Sequence, residues 1–159
     1  MKVTLTPIEL ALAEVVAEHR TKNSRSKSIS NQRISKDSDF EVEFVGMCGE
    51  LTVSKALKVY PDLGGTMQPY DLMSRGGKRM EVKTTRRSSG RLVARLKASV
   101  DDSDYFVLVT GNPPYMYIEG YIPTKEFLMG GNIGKLSPEY PECFLLPQSK
   151  LTPWPSTQS

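Results

Sequence analysis

One stretch of this 159-residue sequence constrains the fold more than any other: a helix-like segment that is apolar nearly all round. It runs over residues 44–60, FVGMCGELTVSKALKVY, and its hydrophobic residues recur at helical spacing despite two glycines. A helix with apolar residues on most of its surface must be covered on more than one side. The sequence therefore predicts a central helix packed against several other elements.

Short runs of β-favouring residues follow this segment and predict the strands that would cover it. Strands are expected over residues 66–72, 78–85, 91–96, 104–111 and 115–122, and further helices over residues 7–20 and 123–129. From residue 130 onward, glycine and proline recur without a period, which predicts an irregular segment. Its expected anchors are Phe144, Leu145, Leu146 and Trp154.

The chain length fits one domain, residues 1–159, in which three parts differ in composition. Residues 1–40 combine the first helix with a basic, serine-rich arm, whose composition predicts mobility. Residues 41–129 contain the predicted core, and residues 130–159 form the Pro/Gly-rich C-terminal segment. A basic arm of this kind can become ordered on a polyanion.

Composition also restricts where the protein works and which chemistry it uses. No apolar run approaches the roughly 20 residues of a membrane span, and glutamates interrupt the apolar N-terminal pattern, unlike a signal peptide. We therefore expect a cytoplasmic protein without a membrane partner. Cys48 and Cys143 lack metal-ligand spacing and are predicted to be buried free thiols. With His19 as the only histidine, the composition argues against zinc clusters, histidine-metal nucleases and Ser-His-Asp triads.

A predicted hairpin carries the residues that point to chemistry. In YDLMSRGGKRMEVKTTRR, residues 70–87, a glycine pair separates two short strands. Side chains alternate along a strand, so Glu81 and Lys83 share one face roughly 6 to 7 Å apart. Asp71 ends the preceding strand and can bring its carboxylate beside Glu81. Two adjacent carboxylates repel unless a cation lies between them, and hard oxygen ligands suit Mg²⁺ or Mn²⁺.

The central helix contributes a further acid, Glu50. At about 100° per residue, Glu50 lies in the same sector as Gly46, Val53 and Leu57, so it is expected on the inward face. An inward carboxylate needs a partner, and a metal site at the sheet would supply one. Gly46 and Gly49 are expected to let the helix approach the sheet closely. The alternatives are an exposed Glu81–Lys83 salt pair of little energetic value and a surface position for Glu50.

The order of three motifs resembles a known family. GMCGE, then PYD, then EVK, followed by an apolar β-run and IEGYI, is similar to the PD-(D/E)XK nuclease superfamily in its small phage and prokaryotic form. The resemblance covers roughly residues 44–127. It implies an α/β fold with a restriction-endonuclease-like core: a mixed central β-sheet flanked by helices, with an antiparallel hairpin carrying the active site. The literal PD pair is absent, because Tyr70 separates Pro69 from Asp71.

The resemblance implies a metal-dependent nuclease that hydrolyses phosphodiester bonds, with DNA as the expected substrate. If the protein is phage-encoded, it would work in the cytoplasm of the host. The resemblance implies that Asp71, Glu81 and the Val82 carbonyl bind Mg²⁺ or Mn²⁺. Lys83 would be the catalytic lysine, and Glu50 would orient water or a second ion. Whether cleavage is endo or exo is left open.

Basic residues flank the proposed site and could guide a phosphate backbone. The predicted nucleic-acid-binding residues are Lys78, Arg79, Arg86, Arg87, Arg91 and Arg95. Such charge runs are more often solvated faces. Tyr115, Tyr117 and Tyr121 are expected on one strand face, where they could stack on bases, although core packing is the commoner role of such residues.

Two other classes of function remain open. The same fold could serve as a nucleic-acid-binding or assembly component without turnover. Alternatively, the Pro-rich tail and the basic arm could mediate assembly in a structural protein. A homodimer is compatible with each of these functions, although the sequence shows no interface.

Overall fold

The computed structural model describes residues 1–26, 38–64 and 68–156. The elements in chain order are β1 (Lys2–Thr4), α1 (Pro7–Ser26), α2 (Asp39–Leu57), β2 (Leu72–Met73), β3 (Arg79–Thr85), β4 (Leu92–Arg95), β5 (Tyr105–Asn112), β6 (Tyr115–Pro123), α3 (Thr124–Met129), β7 (Ile133–Gly134) and β8 (Cys143–Leu146). A 3₁₀ turn, Gln148–Lys150, follows β8. The architecture is α/β, as the sequence predicts.

The strands form two sheets. The larger one is mixed and has the order β1-β6-β5-β3-β2, with β3 parallel to β5 and the other pairs antiparallel. The smaller one has the order β4-β8-β7 and is antiparallel. Helices α1 and α2 cover one face of the larger sheet, whereas α3 and the smaller sheet cover part of the other face. The larger sheet therefore lies between two hydrophobic clusters.

The first helix begins where the sequence predicts and ends later. The Glu9 N–H donates to the Thr6 hydroxyl, and the Thr6 N–H donates to the Glu9 carboxylate, both at 3.2 Å. This reciprocal capping fixes the N-terminus of α1. The helix continues to Ser26 rather than ending near residue 20. Of the predicted mobile arm, residues 20–26 are thus helical, and residues 27–37 lie outside the described residues.

The central helix is longer at its N-terminus than predicted. It starts at Asp39 because the Ser38 hydroxyl accepts from the Glu41 N–H at 3.2 Å, and it ends at Lys58 in a left-handed conformation, φ 54°. The segment from Val45 to Ser54 is buried apart from Gly46. This burial confirms the central position inferred from an apolar pattern on most sides of the helix.

One of the two glycines predicted to permit close approach of α2 does so. A Cβ at Gly49 would lie 1.8 Å from the Thr84 side-chain oxygen on β3. The same atom at Gly46 would meet nothing within 4 Å. The close approach therefore depends on Gly49, and the expectation for Gly46 is wrong, because a side chain there would have open space around it.

The turn between β2 and β3 matches the predicted hairpin. The Ser74 N–H donates to the Lys78 carbonyl at 2.8 Å, and Gly77 adopts φ +79°, which favours glycine. Strand β2 is only two residues long, so the prediction of a strand over residues 66–72 is wrong for residues 68–71. Residues 65–67 lie outside the described residues. Pairing of the two strands is restricted to the end next to the turn.

A bulge in β6 separates the tyrosines that simple alternation places on one face. The register shifts where Leu108 pairs with Gly120 and Val109 with Ile118, leaving Glu119 as the extra residue. Tyr121 consequently packs on the helix side, whereas Tyr115 and Tyr117 are on the opposite face and exposed. The expectation of one shared tyrosine face is therefore wrong.

The C-terminal segment is more regular than predicted. Strands β7 and β8 pair with each other, and β8 pairs with β4, roughly 50 residues earlier in the chain. The expected anchors Phe144 and Leu146 are buried in the cluster between the sheets. Trp154 packs edge-on against Tyr121, with ring centroids 6.0 Å apart. The irregular assignment is wrong for Ile133–Gly134 and Cys143–Leu146, because these residues acquire strand order by pairing with each other and with β4, which is distant in sequence.

The two cysteines are in the state that the sequence predicts. Cys48 and Cys143 are buried free thiols, and burial raises the pKa of Cys48 to about 12. None of the helices in the described residues combines the length and apolar content that crossing a membrane would require.

Candidate active site

Strand β3 presents a carboxylate and an amine to a cleft. Val82 is buried on the helix side, and the alternation of the strand turns Glu81 and Lys83 to the opposite face. The Lys83 Nζ lies 2.6 Å from the Glu81 Oε1. Both side chains line a cleft of about 1460 Å³ that extends toward the smaller sheet. The shared face that the sequence predicts for Glu81 and Lys83 is confirmed.

Asp71 is held against the outer edge of β3 by two backbone hydrogen bonds. Its N–H donates to the Met80 carbonyl at 2.9 Å, and its Oδ2 accepts from the Val82 N–H at 2.7 Å. The N–H and C=O of one strand residue point to the same edge, so the Val82 carbonyl also points toward this edge. The structure thus brings Asp71 to the strand that carries Glu81 and Val82.

The electrostatics of Asp71 show how crowded the acids are. Burial, together with the charges of Glu81 and Glu50, raises the pKa of Asp71 to about 8. The hydrogen bond from Val82 and the charge of Lys83 oppose this shift. A carboxyl in such surroundings disfavours ionisation unless a positive charge joins it. Asp71, Glu81 and Glu50 therefore act on one another as a cluster.

Glu50 points inward from α2, as predicted, and has a partner that the sequence does not indicate. Its side chain is only 10% exposed and pairs with Arg20 of α1 through two contacts, Nη1–Oε1 at 3.0 Å and Nη2–Oε2 at 3.3 Å. Burial raises the pKa of Glu50, while Arg20 lowers it and the nearby Glu43 and Glu81 raise it. The guanidinium therefore offsets part of the cost of burying this carboxylate.

Arg20 and Glu43 are residues of the cluster that sequence reasoning missed. Glu43 precedes Glu50 by seven residues, close to two helical turns, so its place on the same side of α2 follows from helical period. Burial raises the pKa of Glu43 as well. Arg20 lies 30 residues before Glu50, and no local pattern connects them. The tertiary packing of α1 on α2 brings this pair together.

The site offers a small set of oxygen donors, and this set is compatible with a hard cation. Among the described residues, no three His, Cys, Asp or Glu side chains form a group suited to holding a metal ion. Asp71, Glu81 and the Val82 carbonyl offer oxygen atoms only, which is the ligand chemistry that Mg²⁺ and Mn²⁺ prefer. Burial and the charges of Glu81 and Glu50 raise the pKa of Asp71, so an added positive charge nearby would favour its ionised form. These three residues are the ones that could hold such an ion.

The structure divides the basic residues predicted to bind nucleic acid. The cleft is lined by four of them together with a lysine that was not predicted: Arg86, Arg87, Arg91, Arg95 and Lys97. Arg86 also pairs with Glu41 of α2. Lys78 and Arg79 do not line the cleft; the Arg79 guanidinium bonds to the Asp104 carboxylate and the Asp101 carbonyl. Positive charge thus concentrates on the β3–β4 loop and β4.

Gln148 anchors the β3–β4 loop. Its amide nitrogen donates to the carbonyls of Ser88 and Gly90, at 2.8 and 2.7 Å. The contact joins the loop to the 3₁₀ turn after β8, about 60 residues later in the chain. The loop that carries Arg87 is therefore held from the C-terminal side of the fold. No pattern in the sequence indicates that Gln148 makes this contact.

The fold and site together define an α/β protein with an acid-lysine cluster at the edge of a mixed sheet, beside a basic cleft. No protein-family model matches the chain, and no curated protein is significantly similar to it.

Proposed function

We propose that the protein is a metal-dependent nuclease that hydrolyses phosphodiester bonds, with DNA as the favoured substrate. In this proposal the larger sheet and its helices are a restriction-endonuclease-like core, and β2 with β3 is the active-site hairpin. The observation that carries the proposal is that Glu81 and Lys83 of β3 line a cleft together with arginines, while the Asp71 carboxylate is hydrogen-bonded to Val82 between them.

Asp71, Glu81 and the Val82 carbonyl would hold Mg²⁺ or Mn²⁺ in this proposal. When bound, such an ion lowers the pKa of water and stabilises the charge that develops on a scissile phosphate. The Val82 N–H fixes the orientation of the Asp71 carboxylate through the 2.7 Å hydrogen bond. Because this donor is backbone, the orientation does not depend on a mobile side chain.

Lys83 would be the catalytic amine in this proposal. Its side chain is 38% exposed and reaches the cleft, while Nζ donates to Glu81 at 2.6 Å. An ammonium held in this way can orient an attacking water and stabilise charge in the transition state. Glu50 is farther into the fold and would act on the orientation of water or on the charge balance.

The cleft would supply substrate binding. Arg87 and Arg91 are exposed residues that line the cleft. Arginine side chains suit phosphate recognition because the guanidinium forms two parallel hydrogen bonds with phosphate oxygens. Contacts of this type position a nucleic acid without reading its sequence.

The direct test is degradation of plasmid, linear duplex and single-stranded DNA with Mg²⁺, Mn²⁺ or EDTA. We expect metal-dependent cleavage that Lys83→Ala abolishes while the circular dichroism spectrum is unchanged. Lys125→Ala is the matched control, because it removes an exposed lysine that does not line the cleft and should retain cleavage. Full activity of Lys83→Ala would contradict the assigned mechanism.

A second candidate is a nucleic-acid-binding protein on the same fold without turnover. It is favoured by one observation: Glu50 and Glu81 are ion-paired to Arg20 and Lys83, and Asp71 is bonded to the backbone. Metal-dependent stabilisation separates the two candidates, since an ion that binds the folded state must raise the melting temperature. DNA binding without cleavage and without a shift by Mg²⁺ or Mn²⁺ would favour the second candidate.

A further inference from the structure

Arg20 is the cation nearest to Glu50 among the contacts of the described residues. The guanidinium contacts both carboxylate oxygens, and its side chain is 24% exposed against 10% for Glu50. Helix α1 thereby places a permanent positive charge inside the acid cluster, because arginine does not lose its proton in proteins. This pair is separate from the contacts that position Asp71 and Lys83.

The charge of Arg20 acts on more than its direct partner. Its electrostatic interactions include Glu50, Glu43 and Asp71, which come from two different parts of the chain. A second metal ion attracted by Glu50 and Glu43 would have to approach this guanidinium. Like charges at short range in a poorly solvated site repel strongly.

We propose that Arg20 is a positioning residue that neutralises Glu50 and so limits the site to one divalent ion, held by Asp71 and Glu81. This inference rests on the proposed function, since it concerns the ions that the nuclease would use. It assigns Glu50 the role of a fixed, neutralised carboxylate rather than that of a metal ligand.

The geometry supports this assignment over a simple contact between helices. Both oxygens of Glu50 are engaged in a two-pronged pair, so coordination of an ion would require at least one contact to break. Helix packing alone does not require an ion pair, because apolar residues of similar volume hold buried interfaces equally well. The pair also lies within reach of the charges of Asp71 and Glu81. A role in the charge balance of the site accounts for these features together.

The test is a count of Mn²⁺ bound per chain, obtained from the electron paramagnetic resonance signal of free Mn²⁺. We expect one ion on the wild-type protein and one on Arg20→Lys, which keeps the charge. Arg20→Met should allow a second ion to bind, because it exposes Glu50 to metal. Arg87→Met is the matched control: it removes a cleft arginine by the same substitution and should leave the count at one.

A charge-neutral double variant keeps the test decisive if Arg20→Met does not fold. Arg20→Met combined with Glu50→Gln removes both charges and leaves no unpaired ion. We expect one Mn²⁺ on this variant, with an affinity within a few-fold of the wild-type value, since neither residue is a ligand. An affinity loss greater than about tenfold would identify Glu50 as a ligand and overturn the inference.

The remaining outcomes of the Mn²⁺ count distinguish failure of the role of Arg20 from failure of the nuclease proposal. Two ions on the wild-type protein, or one ion on a folded Arg20→Met, would overturn the role of Arg20 while leaving the nuclease proposal intact. No Mn²⁺ on the wild-type protein would instead reject the proposed function, and the inference with it. A purely structural role for Arg20 would change the melting temperature without changing the number of ions.

Discussion

The Asp71 carboxylate accepts a hydrogen bond from the Val82 N–H at 2.7 Å, which joins the residue before β2 to the middle of β3. Burial and the charges of Glu81 and Glu50 raise the pKa of Asp71 to about 8 in spite of this bond. The folded protein without metal therefore retains a proton on Asp71 that the unfolded chain releases at its ordinary pKa, near 3.8.

This difference predicts how stability depends on pH. The contribution of Asp71 to stability is fully present below about pH 4 and is lost as pH rises toward 8, since the unfolded state binds fewer protons in that interval. We expect Asp71→Asn to lack this part of the pH dependence and to be more stable than wild type at pH 8 in EDTA, by about 1 kcal/mol or more. Urea unfolding at pH 5 and 8 measures both quantities. The asparagine side chain keeps an oxygen that can accept the Val82 hydrogen bond, so the variant changes the charge and retains this contact. An identical pH dependence in Asp71→Asn and wild type would contradict the expectation.

The contact between α2 and β3 predicts opposite effects at two glycines of one helix. Gly49→Ala places a Cβ 1.8 Å from the Thr84 hydroxyl oxygen, so we expect the free energy of unfolding to fall by about 1–3 kcal/mol. Gly46→Ala is the control, because its Cβ meets nothing within 4 Å and alanine favours the helix by up to about 1 kcal/mol. Chemical unfolding of both variants measures the difference. Equal destabilisation by Gly49→Ala and Gly46→Ala would contradict the close contact between Gly49 and Thr84.

The Gln148 amide predicts a link between the C-terminal segment and the basic loop. Gln148→Ala removes the donors to the Ser88 and Gly90 carbonyls, with an expected cost of about 1–2 kcal/mol in stability. Because the loop carries Arg87, the variant should also bind duplex DNA more weakly. Fluorescence anisotropy in EDTA measures binding, and Ser149→Ala, an exposed neighbour, is the control. Unchanged stability and unchanged affinity would mean that the loop is ordered without Gln148.

Under the proposed function, the division of the basic residues predicts which of them would contact DNA. The Arg87→Ala and Arg91→Ala pair removes two cleft charges, so the slope of log K against log salt should become less steep by about 2. Lys78→Ala removes one charge outside the cleft lining and should leave the slope nearly unchanged. Anisotropy titrations at several salt concentrations provide the comparison. A larger effect of Lys78→Ala would move the binding surface to the hairpin turn.

Sequence reasoning placed the elements whose order depends on local signals. The start of α1 at residue 7, the buried α2 segment and the glycine turn before β3 are determined by neighbours within a few residues. The shared face of Glu81 and Lys83 follows from strand alternation alone. The inward direction of Glu50 follows in the same way from helical period.

The sequence by itself thus determined an α/β chain with a buried central helix and an acid-lysine strand. Only the tertiary structure decided that Arg20 neutralises Glu50, that Gln148 holds the basic loop and that β8 pairs with β4. It also decided the bulge at Glu119, which moves Tyr121 to the other face of the sheet. The physical reason is distance along the chain: periodicity and caps report on neighbours within a few residues, whereas these contacts arise when packing joins segments far apart in sequence.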